Sequence, residues 1–234
     1  MPLADENDGL VGKLVSMYER SPVLRMVVAA YPPLSVTESG LLATYKWWKA
    51  RRMYVFADEL VSLNLNPPEE QVKSREFCEA FGATASRVLE TKREEKIRLF
   101  AHLLAAYVKG EDTTPKAFDD FEAQLNILDD LEYREFELLL LLRDFETKYP
   151  LQTDENQCQR TGRYWKALQE RVQTQFDLSE EEMDAVLQRL IRTGLYHLIT
   201  GNYWDYTGNR GHTTLPFEKL LLKINSAGHV QSTD

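Results

Sequence analysis

The sequence predicts a mainly α chain, an N-terminal helical bundle followed by a second helical region that closes on a small β-hairpin. Three observations carry this. Apolar residues recur at spacings near 3.6 over most of the chain, capping-box and proline signals punctuate those runs, and past Gly194 the period shortens to that of strands. With 234 residues, 43% hydrophobic and 28% charged, the composition is that of a globular chain long enough to bury a core as one large domain or two small ones.

Residues 1–34 form a first segment. Leu10, Leu14, Met17 and Tyr18 share a stripe that suits a short helix packed on its own chain better than a surface-bound helix, whose polar side would be rich in Lys and Arg. The apolar stretch Val23 to Tyr31 is interrupted by Arg25 and has no basic leader, unlike a signal peptide. Leu10 to Tyr31 holds Lys13, Glu19, Arg20 and Arg25, too many charges for a membrane span.

The bundle is read over 35–128. Ser35 and Glu38 have capping-box spacing and open a helix running to about Leu63, with Leu41, Tyr45, Trp48, Val55, Phe56 and Leu60 on one stripe. Asn66-Pro67-Pro68 breaks it. A second helix, about Pro68 to Leu89, buries Phe77, Phe81, Ala85 and Val88. Thr91 and Glu94 read as the capping box of a third, with Ile97, Phe100, Leu104, Tyr107 and Val108 inward and Gly110 at its end. Thr114-Pro115 reads as N-cap and first helical residue of a fourth, carrying Phe118, Phe121, Leu125 and Leu128.

The second region is read over 129–225, with 226–234 a disordered tail. Asp129 or Asp130 caps a helix whose leucine run, Leu138 to Leu142, is apolar all round. A polar loop, Leu151 to Gln159, precedes a helix from Arg160 to Phe176 with Trp165, Leu168, Val172 and Phe176 buried. Ser179 and Glu182 cap the next, Leu178 can staple onto Met183, and Gly194 stands at a left-handed C-terminal position. Leu195 to Thr200 and Tyr203 to Thr207 read as strands with a tip at Gly208 to Gly211, before a last helix at Phe217 to Ile224. Three helices, a hairpin and a closing helix follow the order of a winged helix-turn-helix. A plain helical domain with an irregular Gly/Asn loop is the other reading.

Charge narrows the function classes. The net charge of −9 argues against bulk attraction to nucleic acid or anionic membranes. Residues 1–110 hold 15 basic and 14 acidic side chains, and 111–234 hold 13 and 23, so the acidity lies in the C-terminal half. A winged helix reads duplex DNA from the early turns of its third helix, but here those turns carry Glu180, Glu181, Glu182 and Asp184, which repel phosphate. The basic residues Arg189 and Arg192 come late, and Arg210 sits on the wing. The best basic cluster is Lys46, Lys49, Arg51 and Arg52, interleaved with Tyr45, Trp47 and Trp48. Lys46, Lys49 and Arg52 fall within about 120° on a helix, a stripe that could bind phosphate while an indole stacks on a base. The commoner arrangement has Trp48 in the core, Trp47 between helices and the cations in ion pairs with Glu38 or Asp58. Lys92, Arg93, Lys96 and Arg98 are read as surface ion pairs.

No phosphate loop, dinucleotide fingerprint, zinc-protease helix or nucleophile elbow occurs, so no catalytic residue, cofactor or metal is expected. His102, His197, His212 and His229 are isolated in sequence, and His102 reads as a satisfied core or boundary histidine. Cys78 and Cys158 form no disulfide framework or zinc motif, which suits a reducing cytoplasm. The aromatic wing Tyr203, Trp204 and Tyr206, with Arg210, is the expected partner-binding hot spot.

Lys96 to Phe100, then Phe121, Leu125 and Leu128 leading into Glu135 to Arg143, and finally Leu187 to Leu195, resemble the helical modules with a terminal winged helix of bacterial abortive-infection alpha-type phage-defence proteins. The resemblance spans about residues 36–222, rests on leucine and aromatic spacings, and implies a role in phage defence or its regulation without catalytic residues. The expected function is a non-enzymatic interaction or regulatory protein with a protein partner. The alternative is a nucleic-acid-binding regulator using Lys46, Lys49, Arg51, Arg52, Arg189 and Arg192.

Overall fold

A computed structural model describes residues 40–110, 114–199 and 209–228, excluding the side chains of 40–46. The described residues are mainly helical: α1 (Gly40–Ser62), α2 (Glu69–Val72), α3 (Arg75–Glu90), α4 (Glu94–Lys109), α5 (Pro115–Asp130), α6 (Tyr133–Lys148), α7 (Gln157–Phe176), α8 (Glu180–Thr193), β1 (Tyr196–Leu198), β2 (Gly211–Thr213) and α9 (Leu215–Gly228). The chain divides into two compact units, 1–128 with 223–234, and 129–222.

In the first unit α1 packs on α3 and α4. Its core is Met53, Phe56, Leu60, Phe77, Phe81, Val88, Ile97, Phe100 and Leu104, each 2% exposed or less. Phe121 stacks on Tyr107 with ring centres 4.7 Å apart. The predicted second helix is two helices. Ser74 interrupts it and caps α3 by accepting the Phe77 N–H. The Thr91–Glu94 capping box is also absent: Thr91 ends α3, its hydroxyl donating to the Arg87 carbonyl, and α4 starts after Arg93 with no side-chain cap. The predicted Ser35–Glu38 box lies outside the described residues.

The second unit sets α6 and α7 together, with β2 against both and α8 against α7 and β1. Neither Asp129 nor Asp130 caps α6. Both fall in or at the end of α5, and Glu135 instead closes the start of α6 by accepting the Glu132 N–H at 2.8 Å. Leu138, Leu139 and Leu142 are buried while Leu140 is 36% exposed, so the leucine run has a dry side and a wet one. Ser179 and Glu182 do form their capping box, with Leu178 and Met183 buried beneath it, and Gly194 takes φ +73°.

The two strands pair antiparallel, Tyr196 with Thr213, His197 with His212 and Leu198 with Gly211. Gly211, expected in the turn, is therefore a strand residue. A Cβ at that position would overlap the Tyr196 ring and the His197 carbonyl oxygen, so only glycine lets the strands approach this closely. The predicted strand Tyr203 to Thr207 lies outside the described residues. The last helix runs past Ile224 to Gly228, with Ala227 buried.

Glu146 anchors β2 from α6. Only 4% exposed, it accepts the Thr213 backbone N–H at 2.8 Å and the Thr213 hydroxyl. Strand edges this short hold few ladder bonds, so a buried side-chain acceptor for one amide supplies much of the docking. Beside it, Tyr164 is buried with its hydroxyl unpartnered, and its pKa is pushed well up by burial and then by the Glu146 carboxylate.

Candidate functional site

The expected partner-binding aromatics Tyr203, Trp204 and Tyr206 lie outside the described residues, so the surface that can be built is α8 and the base of the sheet. Glu180, Glu181 and Glu182 are exposed on the first turn of α8, where the helix dipole favours carboxylates. Glu182 is committed to the cap. It accepts from the Ser179 hydroxyl and backbone N–H, and those bonds, hydroxyl first, hold its carboxyl below the usual range. Glu180 accepts from Gln169 of α7 at 2.9 Å. The Glu181 side chain makes no hydrogen bond or ion pair among the described residues.

Of the arginines expected to supply positive charge here, Arg189 is spent on carboxylates. Arg189 donates to Glu132 at 2.9 Å and sits 3.0 Å from Glu135, and the Glu132 bond is the first cause of its raised pKa. Arg192 is exposed and makes no ion pair among the described residues. Arg210 turns its guanidinium toward α7 beside Gly162, where a Cβ would meet Nη1 at an ordinary contact distance of 3.6 Å. Its Nε is buried without a partner. Gln188 of α8 donates to Asn209 at 2.9 Å, fixing the residue before Arg210 to the helix.

The basic stretch of α1 is likewise tied down. Arg51 pairs with Glu94 at 2.7 Å, and Arg52 donates to the Leu89 carbonyl, while Glu38 lies outside the described residues. Lys49 is half-buried, and the Lys46 side chain lies outside what is described. Trp48 is not core. It is 50% exposed, while Trp47 meets it edge-on with ring centres 4.7 Å apart and keeps its Nε1 buried. Helical spacing alone put the wrong indole inside, because consecutive residues lie 100° apart and either could border the stripe.

His102 is satisfied at a boundary, as read, with Nδ1 2.9 Å from the Ile224 carbonyl and Nε2 3.0 Å from Glu59. Arg98 donates to the other Glu59 oxygen. A cleft of about 470 Å³ at the start of α3 is lined by Glu76, Phe77, Tyr107 and Val108 among others, and two of its polar members, Ser74 and Gln71, are spent on the Phe77 N–H and the Val108 carbonyl. Among the described residues no three His, Cys, Asp or Glu side chains gather as a metal site, and no helix is long and apolar enough to cross a membrane. Both cysteines are free thiols.

Two pairings escaped the linear reading: His197 beside His212, and Glu146 on Thr213. The first becomes visible only once β1 and β2 are in register. The second joins residues 67 positions apart and leaves no local trace. Scans of the chain against protein-family models, curated proteins and solved structures found no match.

Proposed function

We propose that the chain is a non-enzymatic interaction or regulatory protein whose second unit is a winged-helix-like module that meets a protein partner rather than duplex DNA. What supports this reading best is the third helix of that unit. Its exposed early turns present Glu180 and Glu181, and its central arginine is committed to Glu132 and Glu135. A helix that reads a major groove needs donors and cations at those turns. Carboxylates there favour a partner surface bearing Lys or Arg.

The order α6, α7, α8, β1, β2, with the strands antiparallel, suits a winged helix. In sequence Tyr203, Trp204 and Tyr206 lie between β1 and β2, in the stretch that this reading takes as the wing, and aromatic side chains suit efficient contacts. Phage defence is the setting that the resemblance to abortive-infection alpha-type proteins implies.

The test is capture from native lysate by the full chain and by two variants, Trp204→Ala/Tyr206→Ala and Glu180→Lys/Glu181→Lys. The reading predicts a specific partner held by the parent and released by both variants. Retention of every specific partner by both variants would refute it.

A further inference from the structure

We propose that His197 and His212 form a two-point chelate for a transition-metal ion of the Zn²⁺ and Cu²⁺ class on the outer face of the two-stranded sheet. The pair is cross-strand, directly opposite in the antiparallel register. The Ile199 N–H to Arg210 carbonyl bond (2.9 Å) and the Thr214 N–H to Leu195 carbonyl bond (3.1 Å) fix that register on either side. Tyr196, Gly211 and Thr213 are buried on the inner face. Alternation therefore turns the two imidazoles outward, His197 exposed and His212 half-buried.

Their separation suits shared ligation. An ion about 2.0–2.1 Å from one nitrogen of each ring sits about 3 Å from each ring centre, and at a tetrahedral angle the two centres are then about 5 Å apart. The observed separation is 5.3 Å, with ring planes inclined at 50°.

The second observation is the hydrogen bond that selects a ring nitrogen. His212 Nδ1 lies 2.8 Å from the Thr213 carbonyl oxygen. A carbonyl only accepts, so Nδ1 carries the hydrogen, and in the neutral ring the lone pair is on Nε2. Metal-bound histidines are characteristically oriented this way, with the other ring nitrogen donating to a backbone carbonyl. The His197 imidazole makes no hydrogen bond among the described residues and is free to turn toward the ion. Two imidazoles select borderline ions such as Zn²⁺, Cu²⁺ and Ni²⁺ over Mg²⁺ and Ca²⁺, which need oxygen ligands. The remaining coordination positions are left to water or to a partner's side chain. This site is independent of which partner the second unit contacts.

The experiment is calorimetric titration of the full chain with Zn²⁺ in a non-coordinating buffer, repeated on His197→Ala, His212→Ala and, as a control, His229→Ala. The parent and the control should take up one ion with the same affinity. Either of the first two substitutions leaves a single imidazole and should weaken binding at least about ten-fold, because the second bond is no longer intramolecular. His197 is exposed, so its loss leaves the core intact. As a readout independent of stability, the Cu²⁺ electron-spin spectrum should show coupling to two imidazole nitrogens in the parent and one in His197→Ala. Unchanged Zn²⁺ affinity in His197→Ala, or no saturable binding by the parent, would overturn the proposal.

Discussion

Truncating Glu146 to alanine removes the acceptor that holds β2 on α6. The carboxyl is 4% exposed and Thr213 is 8% exposed, so water cannot readily replace the lost bonds. The Thr213 hydroxyl can rotate toward another acceptor, but its backbone N–H cannot, and a buried donor left unpaired costs about 1–3 kcal/mol. Adding the net worth of the second bond, about 1 kcal/mol, gives an expected loss of about 2–4 kcal/mol. Glu146→Gln keeps an acceptor oxygen for the amide and should cost about 1 kcal/mol. Thr213→Val removes the hydroxyl alone, so a double-mutant cycle with Glu146→Gln isolates the side-chain bond. Because the chain has two compact units, a single global unfolding curve need not report one transition. Native-state hydrogen exchange at the Thr213 and Ile199 amides reads the local free energy directly. Protection at both amides equal to that of the parent in Glu146→Ala would show that the carboxyl does not hold the strand.

Four further outcomes follow from the same geometry. Tyr164→Phe deletes a buried hydroxyl with no partner and should leave stability unchanged or raise it by about 1 kcal/mol in urea denaturation; a loss of that size would mean the hydroxyl is bonded. Gly211→Ala drives a methyl into the Tyr196 ring and the His197 carbonyl, and should abolish exchange protection across β1 and β2. Ser179→Ala should cost about 1 kcal/mol of stability through α8. The Glu182 carboxyl is held below its unfolded value by Ser179, so its contribution is present above about pH 4.5 and disappears as pH falls through the lower folded value. Glu182→Gln should flatten the acid side of a thermal-midpoint profile, and a profile identical to that of the parent would contradict the cap's role.

The elements most legible in the sequence are those fixed within one turn of chain. Ser179 with Glu182, Gly194 and Thr114-Pro115 work through neighbours at most a few positions away, and all three act as read. The same local grammar misled where two signals competed. Thr91 could open α4 or close α3, and its hydroxyl found the Arg87 carbonyl first. Glu135 outcompeted Asp129 and Asp130 as the residue that closes α6.

Periodicity found the buried stripes of α3 and α4 but placed Trp48 inside, since it ranks faces only to within about one residue. Strand pairing was the least legible. A three-residue strand carries almost no periodic signal, and the partner of β1 depends on a glycine that admits Tyr196. With the register hidden, so was the His197–His212 pair. Charge told a similar story. Lys49, Arg51, Arg52 and Arg189 read as a cationic resource, while Arg51, Arg52 and Arg189 are consumed by Glu94, the Leu89 carbonyl and the Glu132–Glu135 pair.

The central claim, that the second unit faces protein rather than nucleic acid, is tested most directly by fluorescence anisotropy of labelled duplex and single-stranded DNA against the full chain at about 50 and 200 mM salt. The acidic α8 and its committed Arg189 predict no binding at the lower salt. Micromolar binding that weakens steeply between the two salt concentrations, and that is lost on reversing Lys49 and Arg52, would contradict the account.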